Sequence, residues 1–467
     1  MTWRSAALGA LAWCALVSLA TAGPARHYKC YRVERTTSTL LASFVAQQVT
    51  VSPAGAWVVG AASGTLSAVD LASGESRSCL CPGSPADAAV RFLGWDDAGG
   101  ALWLSIGAEP ARVSRLELPT GALDVLWDAS FELAALGEDG RLYMGGMADG
   151  RPALLVGDAR SRLLSTVPLD GPLRWMAPHE TQGKLPLMME DPARAGRRLL
   201  CVHDSREGRV HALGPALPEP APVLSPSGTR IAFATDEGIR AGSMAQPQLV
   251  RVLERAGQRA LTLQFASDEC LLMTVARDAG DQVRSLEVVD LAVLPAGPRA
   301  LIQRPGGGPF WGVSVEPGGE SALVATEGRT GAEAYMIHPD GRSDTIRLPC
   351  SQPVLDPIWS PDGTHIAFVS GLAPGEAVPY LYEGPDGSGA GILPDASSAR
   401  LLGYSRDSKR LLLTVQTRSA EIVEYVWSGR RGWPLPAPTG ASLEGVLWTE
   451  DPTGHWVAIV PGEEVRP

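Results

Sequence analysis

Three kinds of residue in this 467-residue chain have the chemistry for a site. His203-Asp204-Ser205 holds the types of a nucleophilic relay: a base, an orienting carboxylate and a hydroxyl. Neighbours on a strand point to opposite faces, so the tripeptide cannot close a relay on itself. Followed by Arg206-Glu207-Gly208, it reads as a strand running into a turn. Carboxylates recur at turn-like positions, at Asp96-Asp97, Asp139, Asp362, Asp386 and Asp407. Side by side, such turns would offer rings of oxygen ligands. None has the alternating Asp-x-Asp-x-Asp-Gly spacing of a calcium loop, and an aspartate bonding its own turn accounts for each. The histidines, His27, His179, His203, His211, His338, His365 and His455, are scattered without metal-ligand spacing. Pro305-Gly306-Gly307-Gly308-Pro309 is as glycine-rich as a phosphate loop, but lacks the Lys-Ser/Thr and the following helix, and reads as a connection. The sequence therefore assigns no catalytic, cofactor-binding or metal residue.

Cysteine comes next. Cys30, Cys79, Cys81, Cys201, Cys270 and Cys350 lie beyond the N-terminal leader. An even number in an exported chain permits disulfides. A bond from Cys30 to Cys79 or Cys81 would staple the N-terminal strand to the first repeat; buried thiols are the alternative. Cys79-Leu80-Cys81 is not a zinc-ribbon pair, and no second CxxC completes a site.

The elements that must position these residues are repeated. Leu355 to Ser370 contains Ile358-Trp359, the turn Ser360-Pro361-Asp362-Gly363, then the apolar run Ile366 to Val369. Proline presets φ for a turn, aspartate bonds its own backbone and glycine takes positive φ; the run after it favours a strand. The string returns at Ser225-Pro226-Ser227-Gly228, 135 residues earlier, and at Ser52-Pro53-Ala54-Gly55. A fourth copy, Ser405-Arg406-Asp407-Ser408, follows Ser360 by 45 residues. Weaker copies fall near Asp96, Gly137, Ala266, Glu316 and Glu450, with a poor one near Glu180, giving ten positions at a mean step of about 44 residues. Each period has a second hairpin, as at Val69 to Glu75, Leu116 to Ala122, Tyr335 to Gly341 and Tyr380 to Gly387. Two hairpins per period predict a four-stranded antiparallel sheet. The fold class expected is all-β: a β-propeller of about 8–10 blades of ~44 residues, its ring closed by strands from both termini. Residues 28–45 would supply the strands the last repeat lacks. Trp57, Trp95, Trp359, Trp448 and Trp456 recur with the repeat and are expected to pack between blades. The expected domains are a signal peptide, 1–22, and a propeller, 23–467, as a single ring or as two smaller ones.

Ile358 to Phe368, and its Ser225 copy, resemble the signature of TolB-type β-propeller repeats. Such repeats occur in the periplasmic TolB protein and in propeller domains of the prolyl oligopeptidase family. The resemblance implies the fold, and an envelope protein as partner. It carries no chemistry, because the matching residues build a turn. No α/β domain precedes Ser52, and the Gly-x-Ser-x-Gly elbow of the peptidases is missing, so peptidase activity is not implied.

Composition narrows the partners. The net charge is −11, which disfavours nucleic acid and anionic lipid surfaces. Arg4, the apolar run Ala6 to Ala20 and Ala20-Thr21-Ala22 form a positive, apolar and cleavable leader. No later segment approaches 18 consecutive apolar residues. The function expected is an exported, periplasmic or secreted, non-enzymatic scaffold that binds another envelope or extracellular protein, without cofactor. The alternatives are a glycan or peptide lyase or hydrolase with its site in the central channel, and a small-ligand sensor.

Overall fold

The computed structural model describes residues 25–464 except 35, 82–87, 97–98, 108–109, 138–139, 195, 245–250, 255–258, 266, 277–282, 292–298, 306–309, 318–320, 328–331, 339–341, 347–353, 372–377, 384–389, 393–397, 417–419, 427–430 and 437–445. The leader, Asp97, Asp139, the triple-glycine loop, Cys350 and the turns at 339–341 and 384–389 lie outside the described residues.

Every regular element described is a β-strand, apart from one 3-10 residue at Gly140. No described helix is long and apolar enough to cross a membrane. The described strands form ten four-stranded sheets. Nine are meanders of consecutive strands, over residues 48–80, 90–129, 131–168, 173–216, 223–254, 259–305, 310–346, 354–391 and 398–435. These are the blades of a β-propeller, numbered here 1 to 9 in chain order. Blade 10 begins with Leu447–Glu450 and Trp456–Glu464 and ends with Arg26–Val33 and Ser38–Ala46. Lys29 lies opposite Val460 and Cys30 opposite Ile459, so strands from both termini share one sheet, as the short last repeat requires. The chain passes between sheets at Gln47: Ser38–Ala46 is the fourth strand of blade 10 and Gln48–Val51 is the first strand of blade 1.

Contacts divide the chain into two compact units: 7–189 with 203–210 and 433–467, and 190–202 with 211–432. In the first unit, Val58 packs with Cys30, Phe44, Val457 and Ile459 of blade 10, while its neighbour Val59 packs with Phe92, Leu102 and Leu104 of blade 2. Trp103, between those two leucines, turns the other way into a cluster with Trp127, Leu142 and Met144. In the second unit Ile366 and Phe368 join blade 7, and Ala367 and Val369 join blade 9. Strand side chains alternate faces, and here both faces are buried, which is why each second strand reads as an unbroken apolar run. Val58, Leu102, Phe233 and Phe368 are all fully buried. At roughly 1.5–3 kcal/mol per large side chain, this burial is the main source of cohesion between blades.

Candidate functional site

The repeated serine, proline and aspartate positions come together as one kind of turn, joining the first and second strands of a blade. Ser360 is fully buried. Its Oγ accepts from the His365 amide at 3.0 Å and donates to Asp362 Oδ1 at 2.6 Å. The Gly363 amide closes the turn on the Ser360 carbonyl. Pro361 has no amide to satisfy at the second turn position. Ser405 repeats the pattern, accepting from Arg410 N and donating to Asp407 Oδ1. Ser225 accepts from Arg230 N, behind Pro226 and before Gly228. Ser52, behind Pro53 and Gly55, accepts from the amides of Ala56 and Trp57. The turn aspartates are thus engaged by their own turns. Burial alone would raise the Asp362 carboxyl, but hydrogen bonds from Ser360 and Thr364 outweigh it and hold the carboxyl below its ordinary value. Asp407 and Asp451 behave alike.

Successive turns also touch. The Asp362 amide donates to Ser408 Oγ of the next blade at 3.0 Å. Ser408 holds the place of the glycine with φ +60°, and that contact is a return for its left-handed backbone. The Ser227 amide donates to Asp268 of the next blade. The indoles follow the same rule: Trp95 Nε1 donates to Thr50 Oγ1 and Trp359 Nε1 to the Ser314 carbonyl, each 45 residues back.

Blade 4 departs from this pattern. Its turn carries His179-Glu180-Thr181-Gln182-Gly183, unlike the Ser-Pro-x-Gly of blades 1, 5 and 8. Glu180 is 5% exposed, and its amide donates to the Leu136 carbonyl of blade 3. Its carboxylate reaches Arg141 of that blade at 4.0 Å. Gly137 lies so close that an added Cβ would stand 2.7 Å from Tyr143 and 2.8 Å from Glu180 Oε2. Tyr143, fully buried, meets the His203 ring edge-on at 5.4 Å between centroids. Burial first, then the negative Glu180, push the Tyr143 hydroxyl above its ordinary value, so it stays protonated. A base, an acid and a phenol converge here, but all three are buried in the packing between blades and none faces solvent.

The three members of His203-Asp204-Ser205 diverge, as strand geometry requires. His203 packs on Tyr143, Asp204 pairs with Lys184, and Ser205 donates to the Gly183 carbonyl. Burial would raise the Asp204 carboxyl; Lys184 and the amides of Arg206 and Glu207 together hold it below its ordinary value. Asp204, Glu207 and His211 bring ligand-type atoms within 4.8 Å of one another. Asp204 already has a cation and two amides, the same turn that Asp70 makes with Ala72 and Ser73. The group is accounted for as a hairpin turn.

Cys30, Cys79 and Cys81 are separate thiols. Cys30 is fully buried in the cluster shared by blades 10 and 1. Cys79 and Cys81 belong to the cluster on the other face of blade 1. The sheet itself stands between them, so the Cys30 staple drawn from the sequence is not formed here. Sequence reasoning passed over Tyr143 and Arg141, which lie on an ordinary strand. The signal for Glu180 was its place in a turn that matches the repeat poorly.

No protein-family model matches the chain. No curated protein matches it either. Solved structures do resemble it. A crystal structure of the eukaryotic initiation factor is 11% identical, with a TM-score of 0.47 over 78% of this chain and 95% of that one. Porphyromonas gingivalis dipeptidyl peptidase 4 is 15% identical, with a TM-score of 0.44 over 64% of this chain and 52% of that one. Vibrio parahaemolyticus oligogalacturonate lyase is 12% identical, with a TM-score of 0.34 over 69% of this chain and 97% of that one. These are likenesses of fold alone.

Proposed function

We propose that this chain is an exported β-propeller that acts as a protein-interaction scaffold, in the periplasm or outside the cell. One observation carries the reading. The exposed large apolar side chains among the described residues are Leu40, Leu80, Val125, Met147 and Leu163. Four of them lie on the fourth strands of consecutive blades: Leu40 in blade 10, Leu80 in blade 1, Val125 in blade 2 and Leu163 in blade 3. Single exposed apolar residues are ordinary. Their recurrence on corresponding edge strands is not, since edge strands are usually blunted by charge. Loops and edges held on rigid sheets are also the usual seat of recognition.

The rival reading, an enzyme, needs acid–base groups that converge and meet substrate. Tyr143, Glu180 and His203 are buried, and in the group Asp204, Glu207 and His211 the carboxylate of Asp204 is taken up by Lys184 and its own turn amides. The recurrent turn aspartates cap their own turns.

The test is in-cell crosslinking of a tagged, exported form, followed by mass spectrometry. The expected result is one dominant protein at near-stoichiometric yield, linked through 26–168. Capture of nothing above background, where a control envelope pair crosslinks, would overturn the proposal.

A further inference from the structure

We propose that Cys79 and Cys81 form a dithiol that closes to an intramolecular disulfide by exchange with a small-molecule disulfide, independently of Cys30. Cys79 is the fourth residue of Ser76–Leu80, the edge strand of blade 1, and lies opposite Leu66. The Cys81 amide continues the ladder, donating to the Gly64 carbonyl at 2.8 Å. Residues two apart on a strand share a face. Both sulfurs do so here, against Val59, Leu66 and Leu104, while Leu80 between them points out, 76% exposed. Two strand steps span about 6.6 Å. That is at the upper end of the roughly 4.4–6.8 Å between Cα atoms that a disulfide bridges. The bond also needs the two Cβ atoms within about 3.5–4.5 Å, so the backbone must leave the extended line at Cys81, the first residue beyond the strand and in no regular element. Gly64 opposite it has no side chain to stand in the way.

The two thiols differ in access. Cys81 is 5% exposed; Cys79 is half-buried on the edge strand. Burial raises both thiols, and the neighbouring Cys79 raises Cys81 further, to about 11. Cys79 is therefore the first to react. Its thiolate attacks glutathione disulfide, forming a mixed disulfide and releasing one glutathione thiolate. The Cys81 thiolate then attacks the Cys79 sulfur, forming the Cys79–Cys81 bond and releasing the second glutathione. The two thiol protons end on the two glutathiones. Because the thiolate is the reactant, the rate rises about tenfold per pH unit from pH 7 to 8.

The experiment takes the full chain, reduced, into glutathione disulfide, then alkylates it under denaturing conditions, digests it with trypsin and weighs the peptides. Cleavage after Arg77 and Arg91 leaves Cys79 and Cys81 on one peptide, and cleavage after Lys29 and Arg32 leaves Cys30 on another. The expected product is the 78–91 peptide, unalkylated and two hydrogens lighter. Cys81→Ser should retain a glutathione adduct on Cys79, whereas Cys79→Ser should be modified at least tenfold more slowly. A crosslink between the Cys30 peptide and the 78–91 peptide would overturn the assignment. So would two alkylated cysteines in 78–91 after full exposure to oxidant. Because the wild-type chain carries the first readout, misfolding of a variant does not shield the proposal.

Discussion

Arg32 should control the local stability of the sheet that the two termini share. Its Nε donates to Asp451 Oδ2 at 3.1 Å, and its Nη2 donates to the carbonyls of Leu71 at 2.8 Å and Ala72 at 2.7 Å. One guanidinium therefore joins the N-terminal strand, the turn of blade 10 and the third-strand turn of blade 1. The Asp451 side chain is fully buried, and Oδ1 also accepts from Thr453 N, Thr453 Oγ1 and His455 N. Asp451→Ala removes four hydrogen bonds and leaves a mostly buried guanidinium without its counter-charge; breaking such a pair costs about 3–5 kcal/mol. Arg32→Leu leaves Asp451 with its three turn donors and costs about 1–3 kcal/mol. Native-state hydrogen exchange of the Arg26–Val33 amides reads the opening energy of this sheet alone, at about 1.4 kcal/mol per tenfold change. Exchange should speed up on the order of 10²- to several 10³-fold in Asp451→Ala, and roughly 5- to 150-fold in Arg32→Leu. The double variant should fall short of the sum by about 1–3 kcal/mol, as contacting partners do. Changes that add within about 0.5 kcal/mol, or that stay below threefold in both single variants, would refute the clasp.

Four further expectations rest on the turns. Ser360→Ala loses a buried acceptor for His365 N and a donor to Asp362, which should cost about 1–2 kcal/mol in exchange of the 365–370 amides. Gly363→Ala places a Cβ 2.6 Å from Glu316 Oε1 at φ +72°; it should destabilise by about 1–2 kcal/mol, and adding Glu316→Ala should recover only the steric part. Trp359→Phe keeps most of the packing but loses the indole donor to Ser314, so thermal shift assays should show a loss of about 0.5–1.5 kcal/mol. Asp268, Asp362, Asp407 and Asp451 are all held below their ordinary values. Depressed carboxyls contribute stability that is complete above their unfolded value near pH 4 and is lost as pH falls through the lower folded values. Urea midpoints should be flat from pH 7 to 5 and fall steeply below about pH 4, less steeply in Asp451→Asn.

The blades were legible in the sequence because the turn is a local code. Ser360, Pro361, Asp362 and Gly363 each satisfy a backbone demand within five residues, so four good copies and their spacing implied the sheets between them. The shared terminal sheet was legible from arithmetic, since the last repeat had too few strands. Between a Cys30 staple and buried thiols the sequence could not choose, because which face of a sheet a side chain takes depends on register, and one residue of shift reverses it. Tyr143, Arg141 and Glu180 meet across two blades, and nothing in their spacing announces a contact made through tertiary packing. The same holds for Arg32, a plain strand arginine until Asp451, 419 residues away, is placed beside it.

The scaffold reading stands on where a partner touches the chain. The most direct measurement is photocrosslinking in cells from benzoylphenylalanine placed singly at Leu40, Leu80, Val125 and Leu163, with Ser227 and Lys409 as turn controls. The account predicts one common adduct from the edge-strand positions and little from the turns. Adducts confined to Ser227 and Lys409, or none at any position while a control envelope pair reacts, would contradict it.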